Sequence, residues 1–196
     1  MLRIILYLVM NALNVFTNKE NSMTYNLEQA LEILERTPNT LSSLLSGLSD
    51  EWVYANEGDD TWSAFDIVGH LIHGEKTDWI IRTKIVLSHA ESKTFKTFDR
   101  FAQFENSKGK TLQQLLEEFS ELRLENLKTL KELQITESQF NMKAIHPELG
   151  KVTLKELLAT WVTHDLGHIA QIAHVMAKQY KDEVGSWKAY ITILSK

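Results

Sequence analysis

The sequence predicts an all-α fold, and three observations support this prediction. Only 2 prolines and 8 glycines interrupt 196 residues, which favours long helices over a sheet with frequent turns. Large apolar residues recur at a spacing of three or four. Helix-start signals, in which Ser or Thr precedes Asp, Glu or Gln by three residues, stand at Ser63, Thr111 and Thr153. The length suits one domain with a continuous apolar core.

The first predicted helix spans residues 27–48, where leucines mark one apolar stripe. Pro38 lies in its middle and cannot donate to the carbonyl group four residues earlier, so we expect a kink or a restart near Thr37. The second helix is expected to begin at Ser63 and to run to about Ser88, with its apolar stripe facing the core.

A connection of residues 95–110 follows, and its four phenylalanines make it too aromatic for a free linker. We expect it to pack over one end of the bundle. The third helix is predicted from Thr111 to about Gln134. Residues 137–151 contain proline and glycine and are typical of an irregular loop, with room for a short extended pair.

The fourth helix is predicted to open after Thr153 and to end near Tyr180. The tail beyond it carries Trp187, Tyr190 and Leu194, and we expect this apolar surface to dock against the bundle.

The beginning of the chain differs from the rest. Residues 4–16 are rich in large apolar side chains but fall short of the roughly 20 residues that cross a bilayer. An extension upstream of a natural start at Met23 is the preferred interpretation of residues 1–22. A weak export signal is the alternative, although only Arg3 precedes the apolar run. Residues 23–196 are predicted to form a single helical domain.

Composition narrows the classes of partner. The formal net charge is -5 and the basic residues are scattered, so the chain shows no phosphate-binding stripe and no nucleic-acid partner is expected. We expect no membrane partner either, and a small-molecule substrate instead. The absence of cysteine leaves histidine and carboxylate as metal ligands. It is also compatible with the cytoplasm, which is the location we expect.

The strongest chemical signal is the pair His164 and His168. Residues four apart stack on one face of a helix, so both imidazoles can reach one ion. Two histidines leave a transition metal under-coordinated, and a third ligand must come from another element. His70 is the best-placed donor, because its position at the edge of the second apolar stripe mirrors that of the pair. The sequence therefore predicts a divalent-metal site on His70, His164 and His168.

Three further residues are candidates for supporting roles. Asp165 falls in the middle of an apolar stripe, where an unpaired carboxylate is costly, so we expect it to accept a hydrogen bond from a ligand imidazole or from another buried donor. Gln171 lies beside the histidine pair. Glu75 is a carboxylate near His70 that could act as a catalytic base, and the alternative is a solvated side chain on the helix surface.

The remaining histidines are assigned to solvent, loops or packing rather than to the metal. They are His73, His89, His146 and His174.

From residue 23 onward the chain resembles the DinB-like superfamily of metal-binding four-helix bundles. The motifs that carry the resemblance are Thr61-Trp62-Ser63 with Asp66, residues 69–75, Asp78-Trp79 with Arg82, Arg123 with Asn126, and residues 152–171. The resemblance implies an up-down-down-up bundle with a histidine triad occupied by nickel, zinc or a similar ion. His70, His164 and His168 match the three ligand positions of the family.

The resemblance also bears on activity. Some members of the superfamily resemble transferases or isomerases that use a low-molecular-weight thiol. The expected function is therefore a metal-dependent thiol S-transferase or a hydrolase. The alternative is a non-catalytic, stress-associated metal-binding or interaction protein, since the fold alone does not define function. A homodimer is compatible with the resemblance.

Overall fold

The structure is a computed structural model that describes residues 23–195, and the expectations for residues 1–22 lie outside this range. In chain order the helices and strands are α1 Leu27–Leu45, α2 Asp50–Tyr54, α3 Ala64–Thr77, α4 Trp79–Leu87, α5 Ala102–Asn106, α6 Leu112–Glu132, β1 Lys143–His146, β2 Gly150–Thr153 and α7 Leu154–Lys178. Short 3₁₀ helices are formed by Glu137–Asn141, Gly185–Tyr190 and Thr192–Leu194.

Four helical units form the bundle. Helix α1 packs against α6 and α7, α3 packs against α6, and α4 packs against α7. The long connection between α4 and α6 is what an up-down-down-up order requires, because consecutive parallel helices need a crossover. The predicted all-α four-helix bundle is confirmed. Among residues 23–195, none of the helices is long and apolar enough to cross a membrane.

The three predicted helix starts are confirmed as capping boxes. In each, the side chain of the first residue accepts a hydrogen bond from a backbone N–H three residues later, and the later side chain accepts one in return. The pairs are Ser63 with Asp66, Thr111 with Gln114, and Thr153 with Glu156. The short extended pair is confirmed as the antiparallel hairpin of β1 and β2.

Helix α1 is continuous through Pro38, so of the predicted kink or restart near Thr37 the restart is wrong. Proline leaves the carbonyl group of Leu34 without its usual helical donor. The guanidinium Nη1 of Arg123 donates to that carbonyl oxygen at 2.9 Å. A side chain from α6 thus fills the place of the missing backbone N–H.

The second predicted helix is divided at Asp78, which corrects the expectation of one helix from Ser63 to Ser88. Asp78 has φ -112° and ψ -77° and separates α3 from α4. Neither proline nor glycine stands at the break. Gly74, one turn earlier, lies against the indole of Trp79, where an added Cβ would meet Nε1 at 3.2 Å. The break places Asp78 and Trp79 on the wall of a cavity.

The aromatic connection and the tail dock only in part. Phe95 is buried, whereas Phe101 is 67% exposed. In the tail Leu194 is buried, but Trp187 and Tyr190 are 73% and 82% exposed. The expectation that the tail docks is confirmed for Leu194 and wrong for Trp187 and Tyr190, because the first 3₁₀ turn buries none of its residues.

The core has two apolar clusters with a buried charged group between them. One cluster contains Leu34, Trp79 and Trp161, and the other contains Leu41, Leu71 and Phe119. The guanidinium carbon of Arg123 lies 4.9 Å from the ring centre of Phe119 and 5.2 Å from that of Trp161. Arg123 therefore contacts both clusters.

Candidate metal centre

Helices α3 and α7 bring three imidazoles to one point. His164 Nε2 lies 3.2 Å from His70 Nε2 and 3.1 Å from His168 Nε2. Two nitrogen ligands of a tetrahedral zinc site, each about 2.0–2.1 Å from the ion, lie about 3.3 Å apart. Both distances from His164 are close to the separation that a shared ion requires, and ligand nitrogens of all three histidines lie within 4.8 Å of one another, so the three residues could hold a metal ion.

Burial keeps these imidazoles in the neutral form that a metal needs. Desolvation lowers the pKa of His70 to about 3, and the neighbouring His168, His73 and Arg100 add to the effect. The pKa of His164 is also lowered to about 3, first by burial and then by His168, His70 and Arg123. At neutral pH each ring thus keeps a lone pair for an ion.

Gln171 orients one ring. Its Oε1 lies 2.8 Å from His168 Nδ1. An amide oxygen only accepts, so Nδ1 of this ring carries the proton and Nε2 is left to bind an ion. This contact agrees with the predicted supporting role of Gln171. The Nδ1 atoms of His70 and His164 are buried without a hydrogen-bond partner among the described residues.

Aromatic side chains surround the three histidines. The ring of Trp62 lies 4.8 Å from that of His70, and Phe98 meets the same imidazole edge-on at 5.5 Å. Trp79 stacks on Trp161 and meets His164 at 5.1 Å. An ion at this point would lie in apolar surroundings, where its electrostatic effect is larger than in water.

Arg123 connects the two helices that carry the histidines. It donates to both carboxylate oxygens of Asp165, at 2.6 and 3.0 Å, and to Glu75 Oε1 at 2.8 Å. Asp165 follows His164 on α7, and Glu75 lies five residues after His70 on α3. The expectation that Asp165 accepts from a buried donor is confirmed, and the donor is Arg123 rather than an imidazole.

Glu75 is buried at 4% exposure, so the alternative of a solvated side chain is wrong. Its Oε1 accepts from Arg123 and from Trp161 Nε1, and its Oε2 accepts from Asn126 at 2.9 Å. Both oxygens are therefore occupied. The role of Glu75 as a catalytic base stays a prediction, and its contacts show that it also holds α3, α6 and α7 together.

The histidines lie on the wall of a cavity of about 690 Å³, a size that holds a small molecule. Its apolar wall includes Trp62, Trp79, Phe95 and Phe98. Six charged residues also line it, namely Asp78, Arg82, Arg100, Glu148, Lys151 and Glu156. The predicted site thus lies on a cavity whose wall is both apolar and charged.

Sequence reasoning assigned no role to Arg82 or Arg123. Arg82 is 7% exposed, and its Nε pairs with Asp78 Oδ1 at 2.7 Å. Burial raises the pKa of Asp78 to about 6, although Arg82 opposes the shift, so Asp78 is ionised at neutral pH. A signal existed for Arg123, which continues the apolar stripe of Phe119 and Leu127 at helical spacing and so had to be buried.

The other histidines lie outside the triad. His73 is buried against Phe98 at 4.8 Å, and His89 is exposed. His174 Nε2 lies 3.2 Å from Glu57 Oε1. His146 is half-buried and lines the cavity. Their assignment to packing, solvent and loops agrees with these positions.

Comparisons with known proteins agree with the fold. A sequence profile of the DinB superfamily matches residues 33–172, and the chain therefore belongs to this superfamily. Among solved structures, the chain is similar to YfiT from Bacillus subtilis, described as a probable metal-dependent hydrolase with an unusual four-helix bundle topology. The identity is 21%, the TM-score is 0.68, and the match covers 83% of this chain and 93% of that one. No curated protein matches the chain.

Proposed function

We propose that this chain is a metal-dependent enzyme that holds nickel or zinc on His70, His164 and His168 and acts on a small molecule as a thiol-dependent S-transferase or a hydrolase. The observation that carries the proposal is the meeting of three neutral imidazoles on the wall of a cavity, with His164 Nε2 at 3.1–3.2 Å from Nε2 of the other two. A fully enclosed structural site would have no such opening.

The donor set supports a transition ion. Imidazole nitrogen suits zinc and nickel, and three protein ligands leave coordination positions free, as in catalytic rather than structural sites. When bound, the ion supplies Lewis-acid activation of a thiol or of water, and it lowers the pKa of either nucleophile.

The protein residues have separate tasks. Gln171 fixes the orientation of His168. Trp62 and Phe98 cover His70 and exclude water from that side of the centre. Arg123 holds the two ligand-bearing helices in fixed relation through Glu75 and Asp165. A low-molecular-weight thiol would enter through the cavity.

The first test is elemental analysis of natively purified protein beside the variant in which His70, His164 and His168 are all replaced by Ala. The second test is an activity screen, in which cellular thiols are offered with an electrophile and esters and amides are offered for hydrolysis. The wild-type protein should retain nickel or zinc and turn over a substrate. His168→Ala should abolish turnover, whereas His89→Ala, on the exposed surface, should leave it unchanged. Equal rates in the wild type and His168→Ala would contradict the proposal.

A further inference from the structure

Arg82 places a positive charge on the wall of the cavity that the three histidines also line. The guanidinium lies over the ring of Phe95, with its carbon 5.1 Å from the ring centre. Its Nε is paired with Asp78, and its Nη2 makes one long contact, 3.4 Å, to the carbonyl oxygen of Lys96. Among the described residues, no acceptor is bonded to its Nη1. Part of the guanidinium fork is therefore available to a ligand.

His146 contacts the same phenylalanine and adds a second donor. Its ring lies 6.2 Å from that of Phe95, and it lines the same cavity. The backbone N–H groups of Glu148 and Leu149 both donate to His146 Nδ1, at 3.2 Å each. Because Nδ1 accepts, the neutral ring carries its proton on Nε2. The hairpin thus fixes a neutral N–H donor on a residue that contacts Phe95 and lines the same cavity as Arg82.

The charge balance of the cavity favours an anion. Its charged lining residues are three basic and three acidic, so they cancel one another. A divalent ion on three neutral histidines leaves an excess of two positive charges. One anionic reacting group would neutralise half of that excess, and a carboxylate elsewhere on the same ligand would neutralise the rest. Arg is the side chain whose planar fork matches a carboxylate.

We propose that Arg82 and His146 form a carboxylate-binding subsite, and that the substrate is a small molecule with a carboxylate in addition to the group that reacts at the three histidines. This inference rests on the proposed function, whose substrate class it narrows. The apolar wall of Trp79 and Phe95 would contact the carbon chain between the two groups.

The test compares 3-mercaptopropionate with its uncharged analogue 3-mercaptopropionamide, and 5-mercaptopentanoate with its amide, by calorimetric titration of zinc-loaded protein. The wild-type protein should bind the better of the two acids at least tenfold more tightly than its amide. Arg82→Gln should reduce that preference to less than threefold, and His146→Gln should reduce it in part. Arg100→Gln removes a positive charge from an exposed part of the cavity wall and should change the preference less than threefold.

Arg82→Gln could fail to fold, because it leaves Asp78 buried without its partner. The double variant Asp78→Asn/Arg82→Gln removes both charges and is measured in parallel, with circular dichroism to verify folding. An acid-over-amide preference that persists in a folded Arg82 variant would overturn the subsite. Equal affinity of acid and amide for the wild type, or no binding of any of the four ligands, would overturn it as well.

Failure of the proposed function gives a different result. Titrations of metal-free wild type and of His168→Ala separate the two. Acid and amide that bind equally, and only when zinc is present, would leave the metal site intact and remove the subsite. An Arg82-dependent preference for the acid that is the same with and without zinc would support the subsite and count against the metal as the reacting centre.

Discussion

At the scale of single residues, Arg123 donates to a carboxylate on each of the two helices that carry the histidines. Its side chain and those of Glu75 and Asp165 are at most 1% exposed. Burial lowers the pKa of the Arg123 guanidinium, but Glu75 and Asp165 together outweigh burial and raise it above its ordinary value. Arg123 therefore stays charged, and its removal would leave two buried carboxylates without a cation.

Arg123→Leu should lower the free energy of unfolding by about 3–5 kcal/mol, because breaking a buried ion pair leaves an uncompensated charge. The matched control is Lys131→Ala, whose partner Glu35 is about half exposed. That variant should lose less than about 1 kcal/mol. Urea denaturation of both variants measures the difference, and similar losses would contradict the buried network. Adding Glu75→Gln and Asp165→Asn to Arg123→Leu should restore part of the stability.

The histidines predict a pH dependence for the metal-free protein. The pKa of His70 is about 3 in the folded state and about 6.5 in an unfolded chain. The unfolded chain therefore binds more protons between these values, and stability falls as the pH drops from about 6.5 towards 3. Each such histidine contributes about 1.4 kcal/mol per pH unit in that window.

Denaturation with chelator at pH 6 and pH 5 checks this prediction, with His70→Asn as the comparison. The variant should lose less stability across the interval than the wild type, because it lacks one histidine that charges on unfolding. Equal losses in both proteins would show that His70 takes up its proton in the folded state.

At the scale of helices and turns, local signals predicted the starts and tertiary contacts determined the breaks. The capping boxes at Ser63, Thr111 and Thr153 involve residues three apart, so the sequence alone specifies them. The break at Asp78 and the continuity of α1 through Pro38 depend on partners distant in the chain. The periodicity of α1 could not predict that an arginine of α6 would donate the hydrogen bond that Pro38 cannot donate.

The same distinction applies to the site. His164 and His168 were predicted from their spacing on one helix, and His70 from its place on another, with the family resemblance in support. The shared position of Arg82 and His146 could not be predicted from the sequence, because it depends on the break at Asp78 and on the hairpin, which bring both residues to one cavity. No local sequence pattern in α4 or in β1 predicts that these two elements contact each other.

Two glycines give a test at the scale of helix packing. A Cβ added at Gly69 would overlap Ser107 Oγ, since α3 and α5 approach closely there. A Cβ at Gly167, on the exposed side of α7, would meet nothing within 4 Å. Gly69→Ala should therefore cost about 1–3 kcal/mol through overpacking, less the roughly 0.5–1 kcal/mol of helix propensity that it gains, whereas Gly167→Ala should add that propensity alone.

Thermal unfolding of the two glycine variants measures these opposite effects. The variant Gly69→Ala/Ser107→Ala removes the overlapping oxygen and should recover part of the loss. A Gly69→Ala protein as stable as Gly167→Ala would mean that the two helices do not pack as closely as described.

At the scale of the whole molecule, the two apolar clusters make the bundle independent of an ion. Metal-free protein should keep its helical circular dichroism, unlike a small domain that folds only around its metal. Zinc at 100 times its dissociation constant should add about 2.7 kcal/mol of stability, which raises the melting temperature by about 5–10 °C for a protein of this size. His168→Ala should abolish the shift.

This measurement also separates the enzyme from the alternative of a non-catalytic metal-binding protein. Loss of helical structure on chelation, without any metal-dependent turnover, would favour a structural ion. The expected homodimer and the cytoplasmic location stay predictions.

The Arg123 network has one further consequence, for the register of the bundle. Apolar side chains alone would tolerate a helix displaced by one turn, about 5.4 Å, because one leucine can replace another in such a slip. A slip of α7 along α3 would move Asp165 away from Arg123. The carboxylate of Asp165 would then be buried in the apolar interior without a partner of opposite charge. The network thus penalises misaligned packings, and the alignment that it enforces is the one in which imidazoles from two helices reach a common point.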